Sequence, residues 1–295
     1  MKMEQPIDQN NQAEIQSEVK QADPRLKDFW WRMDNLYYVK DEKGNKVKFK
    51  LRWAQRYFIK HIWFLNVILK ARQLGFTTVI CIYFLDCIFF SKNKSAGIIA
   101  HTQEDAENIF RNKIMFAWDN LPEWFTSSYE VDMSSAKQLK FNNGSSIRVA
   151  TSMRSDTLQY LLITELGTLS LKYPEKAKEV ISGSLNAIHR GQMLIIESTA
   201  KGQSGKFYDI CMMALRLARS KTKLTEMDYK FFFFPWYLNP EYEMSNIGVV
   251  IPQEMNDYFN KVELLAEHPD SMQKVKIPVE KRRWYVKKLE TQAED

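Results

Sequence analysis

The chain has 295 residues, 45% hydrophobic and 26% charged, enough to bury a proper core in one large domain with a small satellite. With 42 basic and 36 acidic side chains it carries a net charge of +6, which is compatible with a nucleic-acid partner but is no signature of one. Three cysteines (Cys81, Cys87, Cys211) without a CxxC pair and four histidines without metal spacing exclude a readable disulfide framework or zinc site and suit a reducing cytosol. The most apolar run, Val79–Phe90, is broken by Asp86 and falls well short of the ~20 residues of a membrane span.

Residues 1–24 are polar, rich in Gln, Asn and Glu, carry no secretory signal and read as a loosely attached or disordered arm. From Arg25 the pattern turns helical through Phe29, Trp30, Met33 and Leu36-Tyr37. Tyr38–Lys40 and Val47–Leu51 around a Lys43-Gly44-Asn45 turn predict a hairpin, and a short helix follows around Trp53–Ile62. An alternation then begins. Strand Phe64–Lys70 leads to helix Thr77–Ser91, strand Ser95–His101 and a long amphipathic helix Gln103–Asn120. Gln138–Phe141 and Ser145–Thr151 flank Asn143-Gly144, a strong hairpin signal. Strand Tyr160–Thr164, helix Pro174–Ile188 opened by proline, strand Gln192–Ser198, helix Ser204–Ser220 and an aromatic strand Tyr229–Trp236 complete the series. Such alternation predicts an α/β fold of parallel βαβ units with helices on both faces, spanning 25–240. Residues 241–295 are charged and helical, with Arg283-Trp284-Tyr285-Val286 as one apolar face, and read as a small lid or linker.

Five clusters could carry chemistry. Lys70-Ala71-Arg72-Gln73-Leu74-Gly75-Phe76-Thr77-Thr78 lies between a strand and a helix, where backbone N–H groups and the helix N-terminus can cradle phosphates. Gly75 and Thr77 match the G-x-x-x-x-G-K-[ST] pattern; Phe76 holds the lysine position and the first glycine is missing. Lys70 or Arg72 could supply the cation from the start of the loop, and Thr77 could ligate Mg²⁺. Tyr160–Glu165 is an apolar strand ending in a carboxylate, where Thr164 stands in place of the usual aspartate. Glu197-Ser198-Thr199 ends another buried strand at the same sheet edge and could sense the γ-phosphate. Arg154, on a loop at that edge, could act on a neighbouring subunit. Gln55, between Trp53 and Tyr57, could read adenine while an aromatic covers the base.

Taken together and in this order, the clusters resemble the ATPase domain of the large terminase subunits of tailed double-stranded DNA bacteriophages, in the branch with a deviant Walker A loop. KARQLGFTT is similar to that branch's loop, QYLLITELGTLSLKYPEK to its second motif, ESTAKGQSG to its coupling motif and FPWYLNPEY to the strand after it. The resemblance covers about residues 50–290. It implies a three-layer P-loop NTPase of the ASCE, RecA-like kind, with a central mostly parallel sheet and a small helical lid. It further implies Glu165 as catalytic carboxylate, with Arg154 acting across a ring and Thr77 on Mg²⁺. Lys70 and Arg72 become phosphate clamps, Gln55 the adenine contact, and Glu197, Ser198 and Thr199 the coupling residues. Arg154 is followed by Ser155 where the family usually shows Arg-Gly before the threonine.

ATP and Mg²⁺ are the cofactors this resemblance implies. The implied partners are double-stranded DNA, the portal protein, the small terminase subunit and further copies in a pentameric ring on the procapsid, with no membrane. The implied location is the host bacterial cytoplasm, at the portal vertex. Such subunits continue into a ribonuclease-H-like nuclease where this chain stops. The nuclease is therefore expected to be absent, through truncation or separate encoding, and no DNA cleavage is expected. Two rival readings remain: another P-loop helicase or translocase, and a non-catalytic DNA-binding or structural module with a degenerate nucleotide loop.

Overall fold

A computed structural model describes residues 23–153, 157–245 and 248–292. The chain divides into two compact units, the first ending at Phe233 and the second beginning at Phe234. In the first unit, β1 (Tyr38–Lys40) and β2 (Lys46–Lys48) form the expected antiparallel hairpin, with Val39 opposite Val47. The other strands are β3 (Leu65–Lys70), β4 (Ser95–Ile99), β5 (Val131–Ser134), β6 (Gln138–Phe141), β7 (Ser146–Ala150), β8 (Leu158–Thr164), β9 (Ile188–Ser198) and β10 (Tyr229–Phe234). They make one eight-stranded sheet in the order β10-β3-β9-β8-β4-β7-β6-β5. From β3 through β7 neighbouring strands are parallel, and β6 and β5 continue the sheet antiparallel.

The predicted α/β fold with a mostly parallel sheet is what the structure has. One strand arrangement builds the site. β9, late in the sequence, inserts between β3 and β8, so the ends of three strands that are distant in sequence lie side by side.

Side chains on neighbouring positions of a strand point to opposite faces. Leu65, Val67, Leu161, Ile163, Leu194 and Ile196 share one face, where they pack on Leu166, Leu169, Val180, Ile181, Phe207 and Ile210 from three helices. Those helices are Leu166–Lys172, Pro174–Ala187 and Gly205–Arg219. The alternate positions Ile68, Lys70, Thr164, Ile195 and Glu197 therefore face the other way. The Phe76–Phe89 helix, buried along almost its whole length, contributes no residue to the first cluster and packs against β4, β7 and β8. Helices thus cover both faces, as the alternation of elements requires.

Several local details depart from the sequence reading. The helix predicted over Gln103–Asn120 widens into a π-helical stretch at Phe110–Met115 between Gln103–Ile109 and Phe116–Asp119. The helix Leu166–Lys172 and the fully exposed strand β5 were not expected. β9 also starts at Ile188, directly where the preceding helix ends.

The second unit holds the helices Gln253–Leu265 and Val279–Gln292, with a small core of Phe259, Val275, Ile277 and Val286. Aromatic rings extend it: Tyr242 stacks on Trp284 at 3.9 Å and Trp236 on Tyr285 at 4.4 Å. Lys281 is buried against the Asn239 carbonyl, with its pKa lowered by that burial, and Arg282 pairs with Glu263 at 3.0 Å. No described helix is long and apolar enough to cross a membrane.

Candidate functional site

The loop after β3 is shaped by two residues in the left-handed region, Gln73 (φ 57°) and Gly75 (φ 67°). Gly75 is required twice over: its backbone conformation strains an L side chain, and a Cβ there would meet the Gln55 amide at 2.8 Å. Gly75 also starts the Phe76–Phe89 helix without a side-chain cap, which suits an end where phosphate oxygens can do the capping.

Phe76, in the usual lysine position, turns into the core and meets the Phe58 ring edge-on at 5.9 Å. Its side chain is therefore no part of the site. Leu74 is likewise buried, whereas Arg72 and Gln73 are exposed and Ala71 and Thr78 are half-buried.

A cation does reach the loop, from its first residue. Lys70 Nζ lies 3.1 Å from Glu197 Oε2 and 3.6 Å from Glu165 Oε1, with its side chain only 8% exposed. Burial alone would lower the Lys70 pKa, but the Glu197 and then the Glu165 carboxylate outweigh it and hold the ammonium above the usual lysine range.

Glu197 is fully buried. Its Oε1 accepts hydrogen bonds from Thr77 Oγ1 (2.8 Å) and Thr164 Oγ1 (2.5 Å). Oε2 has the ammonium as neighbour but no aligned hydrogen-bond donor. Sheet register explains the gathering. Glu197 pairs with Ile68 on β3 and Thr164 on β8, and its side chain emerges on the face that carries Lys70.

Glu165 follows Thr164 in a left-handed conformation (φ 53°, ψ 37°), uncommon for a residue with a side chain and enriched at functional sites. Its N–H donates to the Glu197 carbonyl at 2.8 Å, which fixes the turn against β9. Ser198 Oγ accepts from the Gly167 N–H at 3.0 Å and lies 3.5 Å from Glu165 Oε2. Gly167 has to be glycine for space, since a Cβ would stand 2.7 Å from Ser198 Oγ and 2.9 Å from the Thr199 carbonyl. Thr199 is half-buried at the end of this strand.

The structure thus brings Lys70, Thr77, Glu165, Glu197 and Ser198 to one point on the C-terminal edge of the sheet, where open α/β folds bind ligands. Gln55 has a different place, behind the loop. It is buried, its amide donates to the carbonyls of Leu74 (3.0 Å) and Gly75 (3.3 Å), and its carbonyl accepts from the Arg52 N–H. Here it braces the loop from behind, and reading adenine would require it to exchange those bonds. Arg154 lies outside the described residues.

Two participants escaped the sequence reading. In the sequence Thr164 stands only where an aspartate is usual, yet it donates to Glu197. Lys113, on the π-helical stretch, donates to Thr78 Oγ1 at 2.8 Å, and nothing in its local sequence sets it apart from other surface lysines.

Mg²⁺ favours one or two carboxylates together with hydroxyl, water and phosphate oxygens over an all-protein cage. The described residues hold no group of three or more His, Cys, Asp or Glu able to bind a metal. Thr77, Glu165 and Glu197, with the unaligned Oε2, fit that modest donor set.

No protein-family model matches the chain, and no curated protein matches it significantly. Solved structures do. The large terminase ATPase domain of Thermus phage P74-26 aligns with a TM-score of 0.51 at 20% identity, over 75% of this chain and 90% of that one. The large terminase of bacteriophage HK97 aligns with a TM-score of 0.54 at 14% identity, over 78% of this chain and 46% of that one. The chain therefore shares the fold of large-terminase ATPase domains, and it spans about half the length of the HK97 protein.

Proposed function

We propose that this chain is the ATP-hydrolysing motor domain of a large terminase subunit, driving double-stranded DNA into a viral procapsid. The observation that carries the reading is the convergence of Lys70, Thr77, Glu165 and Glu197 beside a glycine turn that opens a helix. A cation, a hydroxyl and an acid grouped at such a turn are what phosphoryl transfer to water requires. The fold shared with the P74-26 and HK97 terminases supports it.

In this mechanism the backbone of residues 71–78 cradles the phosphates of ATP. Lys70 leaves its carboxylate partners for the β- and γ-phosphate oxygens, while Thr77 presents its hydroxyl to the metal position. Mg²⁺ bound there would offset charge on the phosphates. Glu165, once Lys70 has moved, is free to orient and polarise the attacking water. Ser198 touches both Glu165 and the Gly167 turn, so a change at the γ-phosphate reaches β9 and the following helix through Glu197, Ser198 and Thr199. Arg154 of a neighbouring subunit supplies positive charge to the transition state. The site is then completed only in a ring, taken as five copies seated on the portal in the host cytoplasm, with the small terminase subunit delivering DNA.

The test is the ATPase rate per subunit against protein concentration, with and without portal. Turnover should be slow in dilute protein, rise with concentration and rise again with portal. A rate independent of both would remove the action in trans, and failure to bind ATP with Mg²⁺ present would overturn the ATPase reading itself.

A further inference from the structure

In the usual arrangement the strand bearing the catalytic glutamate ends Asp-Glu, and the aspartate holds water on the metal beside the loop hydroxyl. Here β8 ends at Thr164, with Glu165 directly after it, so the aspartate carboxylate is missing from its own strand. The neighbouring strand provides one. Glu197 is the in-register partner of Thr164 on β9, and the Thr164 hydroxyl donates to it at 2.5 Å. The Glu197 carboxylate therefore lies within one hydrogen bond of the group at position 164. The same oxygen accepts from Thr77, the loop hydroxyl, at 2.8 Å.

We infer that Glu197 takes over the duty of the absent aspartate: it is a positioning residue that orients Thr77 and metal-bound water for Mg²⁺ at the phosphate loop. The inference rests on the ATPase reading and adds to it a role distinct from coupling.

Charge balance gives an independent reason. Glu197 has no exposure to water, and among the described residues the Lys70 ammonium is the cation that offsets its Oε2. When Lys70 turns to the phosphates, Glu197 is left as a buried charge with two hydroxyl donors and no cation, a costly state. A divalent cation that arrived with the nucleotide would restore that balance, and in the absence of nucleotide the pairing with Lys70 guards the carboxylate.

The experiment measures binding of N-methylanthraniloyl-ADP to the 295-residue chain across a Mg²⁺ titration. Glu197→Gln is expected to weaken the apparent Mg²⁺ affinity of the ADP complex about 10- to 100-fold, as loss of an outer-shell partner does. Its metal-free ADP affinity should stay equal or become tighter, because Lys70 is released. A purely structural role would not separate those two quantities. The exchange Thr164→Asp/Glu197→Gln moves the acid one strand over, keeps the charge that pairs with Lys70, and should recover most of the Mg²⁺ dependence.

Undiminished Mg²⁺ dependence in Glu197→Gln overturns the inference, and so does a loss that the exchange variant fails to recover. If Glu197→Gln does not fold, the exchange variant decides by the same criterion. A wild-type chain that binds no ADP, with or without Mg²⁺, sinks the ATPase reading instead, so the two failures are told apart.

Discussion

Two buried ion clusters sit at opposite ends of the Phe76–Phe89 helix, and they are built on opposite principles. Near its end, Asp86 receives both Arg32 Nε (2.9 Å) and Nη2 (2.8 Å), with the Tyr37 hydroxyl at 2.8 Å. Arg32 also donates to the Leu26 carbonyl and lies over the Phe90 ring at 3.9 Å. Charges there balance one to one, and burial followed by the Asp86 charge pushes the Tyr37 pKa well above 10.0. At the start of the helix Lys70 lies between Glu165 and Glu197, and among the described residues Glu197 Oε2 lacks an aligned donor. A saturated cluster is a staple. An unsaturated one holds binding energy in reserve for a phosphate and a cation.

The comparison can be broken first at Glu165. Glu165→Gln should retain nucleotide binding and lower turnover by roughly 10²- to 10⁴-fold, the range for a general acid–base group. Single-turnover hydrolysis alongside nucleotide affinity checks this, and full activity would remove Glu165 from the chemistry.

At the other end of the helix, Arg32→Met leaves Asp86 unpaired and should cost about 3–5 kcal/mol of stability in urea unfolding. ATPase activity per folded molecule should be unaffected. The double variant Arg32→Met/Asp86→Leu should regain a large part of the loss, since a buried pair replaced whole by apolar groups is often neutral. If the single variant is as stable as wild type, the staple reading fails.

Lys70→Met should weaken nucleotide binding strongly and also sharpen the contrast through pH. The Lys70 pKa is raised in the folded chain above its ordinary 10.5, so its contribution to stability is complete below that pH and is lost as the pH rises through the folded value. The stability difference between wild type and Lys70→Met should therefore be flat from neutrality to about 10.5 and shrink in more alkaline solution. A difference that shrinks well below that pH would contradict the pairing.

The smallest effect belongs to Arg190, whose pair with Glu226 is 79% and 38% exposed. Arg190→Gln should alter stability by no more than ~0.5 kcal/mol in the same unfolding assay, because exposed pairs in water gain little.

Much of this was legible from residue order. Apolar alternation and turn chemistry located the hairpins, and Pro174 marked a helix start that the structure keeps. The loop after β3 and the acid after β8 were readable because each is a local motif: a glycine turn before a helix, a carboxylate after an apolar strand. β5 was not readable, because all four of its residues are exposed and no apolar alternation marks it. The helix Leu166–Lys172 was hidden because it starts directly after β8, with Glu165 in a left-handed backbone as the one residue between them. Lys113 could not be singled out, as its contact with Thr78 depends on how the π-helical stretch presents it.

The sequence by itself determined the α/β alternation, the glycine turn and the identity of the acids, since all of these follow from the chemistry of neighbouring residues. It also showed that β8 lacks an aspartate. Only the tertiary structure decided that β9 lies between β3 and β8, and so which carboxylate meets the loop hydroxyl. Strand order and register are fixed by contacts between segments far apart in the chain, and no local pattern encodes them. Thr77 and Glu197, 120 residues apart, meet because three strands pair in register, which leaves Glu197 buried where water cannot reach it.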